Sequence, residues 1–395
     1  MAAPDLPLFD ADNHYYEPRD AFTRYIQPRH RELAIHVETD EQGREQLWIG
    51  KRRFTFLEHR DFDTTIKPGS LREMLRNLTK ESSNYSEVRE RVQPEYVNRE
   101  ARLRRMDQQG LQSAFLFPTL GVCVEHFMKD DVEQTYANLH AFNRWLDEEW
   151  GFDWQGRIFA PPLLSLLDVG RAITELDWAL ARGARLVHLR PGPAFGRSPA
   201  DPLFDPFWAR LNEARVPVAF HISESGYNEM MSIHFGEPAN PASHRQSAFQ
   251  WTNFYGDRPI MDTLSALILH NLFGRFPNLR VLSVENGSLF VPYLMAVMDK
   301  MKGMGRNGPW LGGYVKGRPS EIFKRHVFVS PYHEENIVAL AGVIGPSQVL
   351  FGSDFPHAEG LAEPKEFADA LAGLPESAVR QILFENSQRL VSGTA

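Results

Sequence analysis

The chain reads as an α/β protein folded as a single (β/α)8 TIM barrel, and three observations predict this. Eight short apolar or β-branched runs recur along its 395 residues, and helical periodicity follows them. Strand–helix alternation of this kind builds a parallel sheet covered by helices, and eight units close it into a barrel. The rival, an open doubly wound sheet, lacks its usual mark: no Gly-x-Gly-x-x-Gly follows the first run, and no Gly-x-x-x-x-Gly-Lys occurs.

The expected strand cores are LFDAD (8–12), SAFLFP (113–118), RIFAPPL (157–163), RLVHLR (185–190), VPVAFHI (216–222), LRVLSVE (279–285), HVFVS (326–330) and QVLFGS (348–353). Between them lie amphipathic stretches such as DVGRAITELDWALARGA, in which Gly183 is placed to stop a helix, DPFWARLNEARV and PIMDTLSALILHNLFGRFP. Two connections are too long for simple barrel loops. Residues 15–112 hold LAIHVETDEQGREQLWIG, alternating runs around Glu41-Gln42-Gly43 that predict a β-hairpin on an inserted cap. The cap is placed at 31–98 within a single domain spanning 1–395. Residues 222–259 carry Gly, Pro, Met and aromatics without periodicity, which predicts a long lid loop after strand five. Its apolar members are Tyr227, Met230, Met231, Phe235, Phe249, Trp251, Phe254 and Tyr255. Both connections follow strand C-terminal ends, the face where barrels place their chemistry.

Composition excludes several classes. With 43% hydrophobic and 24% charged residues the chain is ordinary for a globular protein, and its length is ample for a full core. A net charge of −8 argues against nucleic acid as the main partner, and the basic run Arg102–Arg105 reads as a solvated helix face. Cys123 is the sole cysteine, so an intrachain disulfide is excluded and thiolate metal sites are not expected. The start, MAAPDLPLF, has neither a basic n-region nor a long apolar h-region, and no apolar run reaches the roughly 20 residues that span a bilayer. The expectation is a cytoplasmic protein without a membrane partner.

The polar residues at the strand ends carry the functional argument. Strand one offers Asp12 and His14, with Asp10 on the same alternation; strand five offers His221 and strand six Glu285. Strand eight offers Asp354 in FGSDFPHAEG, with His357 three residues on. Imidazole and carboxylate without sulfur suit zinc, iron or manganese. Carboxylates at a buried rim are costly unless paired or metal-bound, so their convergence predicts metal binding. Glu17 and His333, in YHEEN, form a second tier, and Glu224 is a nearby oxygen donor. Arg190, whose planar fork can hold a carboxylate or phosphate, is a candidate substrate contact with Tyr227 and Trp251; the alternative for Arg190 is a structural ion pair. His188 is open between ligand, substrate contact and structure, whereas His270 is read as structural.

These segments resemble the amidohydrolase superfamily, in the amidohydrolase-related branch that includes aminocarboxymuconate-semialdehyde decarboxylase. The resemblance is carried by DADNH with the following Glu-Pro, RMDQQGLQSAFLFPT, RLVHLRPGP, DPLFDPFWARLNEARVPVAFH, FGRFPNLRVLSVENG and FGSDFPHAEG, and it spans nearly the whole chain. It implies a metal-dependent barrel enzyme, and the departures from it are informative. Where that superfamily has His-x-His on the first strand, this chain has Asp12-Asn13-His14. Where decarboxylases of the branch have a His after strand six, it has Glu285, and where binuclear members carry a carbamylated Lys on strand four, it has RLVHLR.

Glu285 in place of His, the DFPH grouping and the aromatic lid also make the chain look like a smaller group of barrels typified by a non-haem diiron monooxygenase of diterpenoid biosynthesis. That likeness implies two irons held by Asp12, His14, His221, Glu285, Asp354 and His357, with Glu285 and Asp354 catalytic. It also implies O2, an external electron donor, a bulky apolar acyl substrate such as a CoA-linked diterpenoid, and a homodimer. The alternative is one zinc or manganese ion serving a hydrolase or a non-oxidative decarboxylase, with Asp354 as proton shuttle.

Overall fold

The computed structural model describes residues 6–57, 61–77, 87–254 and 257–395, so Tyr255 of the expected lid lies outside the described residues. In chain order the strands are β1 (Leu8–Tyr15), β2 (Ile35–Thr39), β3 (Glu45–Ile49), β4 (Arg52–Arg53), β5 (Thr64–Ile66), β6 (Arg89–Arg91), β7 (Leu111–Pro118), β8 (Ile158–Phe159), β9 (Val187–His188), β10 (Val218–His221), β11 (Val281–Val284) and β12 (Val327–Ser330). β1, β7 and β8 form one parallel sheet and β9 to β12 another.

Single bridges close these sheets into a TIM barrel. Leu163 pairs with His188, Val329 with Val349, and Asn13 with Phe355. Residues 349–355 therefore fill the eighth position. Leu350 N donates to Val329 O (2.8 Å) on one side, and Ala11 N donates to Phe351 O (2.7 Å) on the other. The third strand is shorter than expected, and the reason is chemical. Pro161 and Pro162 have no N–H to give the ladder, so regular pairing stops at Phe159 and resumes at the Leu163 bridge.

Alternation fills the interior. Phe9 and Ala11, Phe115 and Phe117, Leu282 and Val284, with Ala219, Phe328 and Leu350, form one buried cluster inside the ring. The opposite faces pack on the surrounding helices. The helix Val169–Leu180 starts where Asp168 accepts from Arg171 N (2.9 Å), and Gly183 follows its end at φ 84°. Between β1 and β7, β2 and β3 form the expected hairpin with Thr39 opposite Glu45 and Gly43 at φ 77°; β4 extends it, and β5 pairs with β6. The segment after β10 differs from an irregular loop: it holds short helical turns at Tyr227–Met231, Ser232–Phe235 and Ser243–Arg245 and the helix Ala248–Phe254. No helix among the described residues is long and apolar enough to cross a membrane.

At the opposite end from the rim, His326 ends the helix Pro319–His326, stacks on Phe273 at 4.4 Å and donates from Nδ1 to Leu279 O (2.9 Å). Burial, with Arg280 and Arg325 nearby, pushes its pKa down to about 4. The folded state thus resists a proton that the unfolded chain accepts. The stability this site contributes is complete above about pH 6.5 and is lost as pH falls toward 4, on the order of 2 kcal/mol by pH 5. Urea unfolding at pH 7 and pH 5 is expected to show that loss in the native chain and a flatter dependence in His326→Gln.

Candidate metal centre

A slip in register builds the rim. Between Asp10 and Asn13, β1 carries one residue more than β7, so simple alternation fails. Asp10 and Asn13 end on one side, joined by an Asn13 Nδ2–Asp10 Oδ2 bond (2.9 Å), while Asp12 and His14 reach the mouth. The expectation that Asp10 shares a face with Asp12 and His14 is corrected accordingly. At the eighth position Gly352 is required, because a side chain there would collide with Asp12 and Ser330. Glu285 and Asp354 both sit at positive φ, 55° and 56°, just past their strand ends. Such backbone is unfavourable for non-glycine residues and persists only where its surroundings impose it.

Two overlapping groups converge there: Asp12, His14, His221 and Glu285, and His14, Glu285, Asp354 and His357. His14 Nε2 lies 3.1 Å from His221 Nε2, and each lies 3.4 Å from Asp12 Oδ1. Glu285 Oε2 stands 3.1 Å from His221 Nε2 and 3.8 Å from His14 Nε2. Donors about 2.1 Å from one ion lie about 3.0–3.5 Å apart, so most of these separations suit a single shared centre.

The donor chemistry passes the same test. His221 Nδ1 donates to Ile222 O (2.9 Å), so in the neutral ring Nε2 turns a lone pair inward. Asp12 Oδ1 is buried without a hydrogen-bond partner. Lone pairs and carboxylates pointing at one spot need a cation. Without one, the protein recruits a proton. Burial disfavours the His221 imidazolium, yet Asp12 and Glu285 overcome that and push its pKa up to about 10. Asp12 is held well below the usual carboxylate range despite its burial, by the imidazoles of His14 and His221 beside it. Burial raises Glu285, and it raises Asp354 strongly, with Glu285, Glu359 and Asp12 adding to the effect.

Asp354 Oδ1 lies 2.7 Å from His357 Nδ1 and 3.4 Å from His14 Nε2. His357 Nε2 faces Thr119 Oγ1 (2.9 Å), whose own hydrogen goes to Tyr15 O (2.8 Å). Thr119 must then accept, so His357 Nε2 carries a proton and its Nδ1 is free to exchange one with Asp354. This relay went unread in the sequence, although Thr119 ends the segment QSAFLFPT.

Several expected site residues are elsewhere. Glu17 Oε1 accepts from Leu120 N (2.8 Å) and Gly121 N (2.7 Å); it anchors the turn after β7 and belongs to neither ligand group. His333 pairs with Glu334 (3.2 Å) and is also outside them. Glu224 accepts from Gly226 N (2.7 Å). The Arg190 guanidinium is consumed internally, 3.4 Å from Glu125 and 2.9 Å from Ser225 O, so the structural ion pair is the reading that holds. Tyr227 donates to Asp262 (2.8 Å), and Trp251 packs against the core.

A cavity of about 340 Å³ opens on His14, His221, Glu285 and His357, and neither Tyr227 nor Trp251 lines it. Its walls come instead from the β1–β7 insertion: Phe56, Leu57, Asp61, Thr64, Thr65, Ile66, Met74 and Arg89, with Ser243 contributed by the segment after β10. No spacing in the sequence marks those residues.

Behind the rim, Arg102 is fully buried, bonded to Asn13 Oδ1, His14 O and Glu95 O, which corrects the solvated-face reading at that position. Asp10 accepts from Asp12 N (3.1 Å), Ser353 N (3.0 Å), Asn13 Nδ2 (2.9 Å) and Ser353 Oγ (2.5 Å). Asp10→Ala would orphan these buried donors. It is expected to cost about 3 kcal/mol by urea unfolding, against under 1 kcal/mol for an exposed control such as Asp130→Ala.

A family model described as Amidohydrolase matches residues 9–392. An amidohydrolase of Mycobacterium avium subsp. paratuberculosis K-10 of known structure is 39% identical, with 98% of this chain and 99% of that one covered and a TM-score of 0.87. A 5-carboxyvanillate decarboxylase from Novosphingobium aromaticivorans, complexed with manganese and 4-hydroxy-3-methoxy-5-nitrobenzoic acid, is 14% identical over 99% of this chain and 98% of that one at a TM-score of 0.61, a likeness of fold. A 2-keto-4-carboxy-3-hexenedioate hydratase of Sphingobium sp. (strain SYK-6) is 28% identical over 250 residues, 58% of this chain, which spans about 60% of that relative's length. The family model and the relatives by sequence are an amidohydrolase and a hydratase, so the expected oxidoreductase, the diiron monooxygenase, is overturned. Glu285 in place of His adds an oxygen donor, and that alone does not make an oxygenase. The match across residues 9–392 and the 39% identity over nearly the whole chain place this protein in the amidohydrolase family.

Proposed function

We propose that this chain is a non-oxidative, metal-dependent carboxy-lyase acting on a small carboxylic acid, with residues 31–98 as the cap over a single barrel domain. The observation that carries the reading is the four-residue cluster Asp12, His14, His221 and Glu285, sized for one divalent ion, beside the Asp354–His357 pair. Manganese is the favoured ion, since it takes carboxylate and imidazole donors and occurs in the decarboxylase of like fold. When bound, such an ion supplies Lewis acidity and orients a substrate carboxylate.

The chain's own residues supply the proton. Burial and the neighbouring carboxylates raise the Asp354 pKa and favour its acid form, which can deliver a proton from Oδ1. In the reaction the bond between carbon and carboxylate breaks, CO2 leaves with no electrons gained or lost, and the carbon takes the Asp354 proton. A proton taken up from solvent then passes through His357 Nδ1 to Asp354, with Thr119 holding the ring at Nε2. Phe56, Leu57, Ile66 and Met74 keep water from the reacting carbon.

A second reading, addition of water to a conjugated acid, is supported by the hydratase relative. One experiment tests both. Manganese-loaded protein is given a panel of hydroxybenzoates and unsaturated keto acids without oxygen, and CO2 and conjugated absorbance are followed. Release of CO2 supports the lyase, loss of absorbance without CO2 supports the hydratase, and turnover that begins only when O2 is admitted sinks both.

A further inference from the structure

We infer that the cavity selects a monocarboxylic acid with an apolar body and rejects di- and tricarboxylates. This rests on the proposed reading in one respect, that a substrate carboxylate meets the ligand cluster. The charges are lopsided. Asp61 and Glu359 line the cavity beside the ligand Glu285. Arg89 is the one Arg or Lys lining it among the described residues. That cation is already engaged, with Nη1 2.9 Å from Asp61 Oδ2 and 3.0 Å from Thr64 Oγ1.

One substrate carboxylate has a place, at the cluster, where a divalent ion offsets it. A second would have to leave water and meet, among the described lining residues, no Arg or Lys other than the one Asp61 already holds, with the Glu359 carboxylate also facing it. The rest of the wall is apolar: Phe56, Leu57, Ile66, Met74, Val122 and Ile222. A hydrocarbon substituent buried there gains on the order of 0.8 kcal/mol per methylene. The 340 Å³ volume accommodates one ring with a short chain.

Two probes separate the alternatives on one ring: 4-propylbenzoate, and terephthalate, which carries a second carboxylate where the propyl group would be. Their affinities for manganese-loaded protein are measured by calorimetry. The expected result is at least tenfold tighter binding of 4-propylbenzoate. Equal or tighter binding of terephthalate overturns the inference, as does the absence of binding by both. Met74→Lys places a cation in the apolar wall and is expected to raise terephthalate affinity at least tenfold over the native chain; Leu57→Lys serves the same purpose if the first variant does not fold. An unchanged preference in a folded variant also overturns it. Binding is read without turnover, so failure of the lyase assay leaves this result standing, and the reverse holds too.

Discussion

His221→Ala is expected to weaken metal binding at least about 100-fold, the largest single effect at this site. His221 Nε2 lies within 3.4 Å of donors from His14, Asp12 and Glu285 at once, so its removal takes out a ligand that no described neighbour replaces. Linkage converts this into stability. At a metal concentration a thousand times the native Kd, binding adds about 4 kcal/mol; a hundredfold weaker site retains about 1.4 kcal/mol at that concentration. Thermal unfolding with and without chelator measures the difference. A variant with native metal content and an undiminished chelator shift would remove His221 from the centre. The native chain should also show proton–metal competition. Because Asp12 and Glu285 lift the His221 pKa to about 10, the metal-free ring is protonated at neutral pH and must release that proton on binding. Apparent metal affinity is therefore expected to rise with pH, by up to tenfold per unit from that ring, and to level off near 10.

Asp354→Asn is expected to lower kcat about 1,000-fold while metal content stays near that of the native chain. The first four-residue group survives the change, but the amide has no proton to give at the required strength. The sign of the pH dependence follows from the raised pKa. The acid form is the active one, so kcat in the native chain should hold at low pH and fall as pH rises through the Asp354 pKa. The variant's residual rate should lack that limb. Stopped-flow CO2 detection across pH with metal analysis separates the two roles, and a variant that loses metal and activity in parallel would make Asp354 a ligand first.

Much of the rim was legible because barrel chemistry gathers at strand ends, and a charged residue closing an apolar run stands out. Asp12, His14, His221, Glu285, Asp354 and His357 were all visible that way, and all six meet. Glu17 has the same appearance in sequence, yet two backbone amides claim it. Arg190 likewise looked available until Glu125 and Ser225 were placed around it. Arg102 sat in a basic run suited to solvent, and the backbone of His14 and the side chain of Asn13 drew it inside. The aromatic segment after β10 has the composition of a lid, but most of the described wall opposite the rim comes from the insertion after β1.

Periodicity and strand-end chemistry, both local along the chain, were enough to determine the barrel, its strand order and the residues that form the rim. Tertiary structure alone decided which way the first strand turns its carboxylates, because one extra residue opposite β7 puts Asp10 and Asp12 on different faces. It also decided which polar groups remain free for a ligand. That depends on partners from distant segments competing for each donor and acceptor, and no spacing within a single segment records the competition.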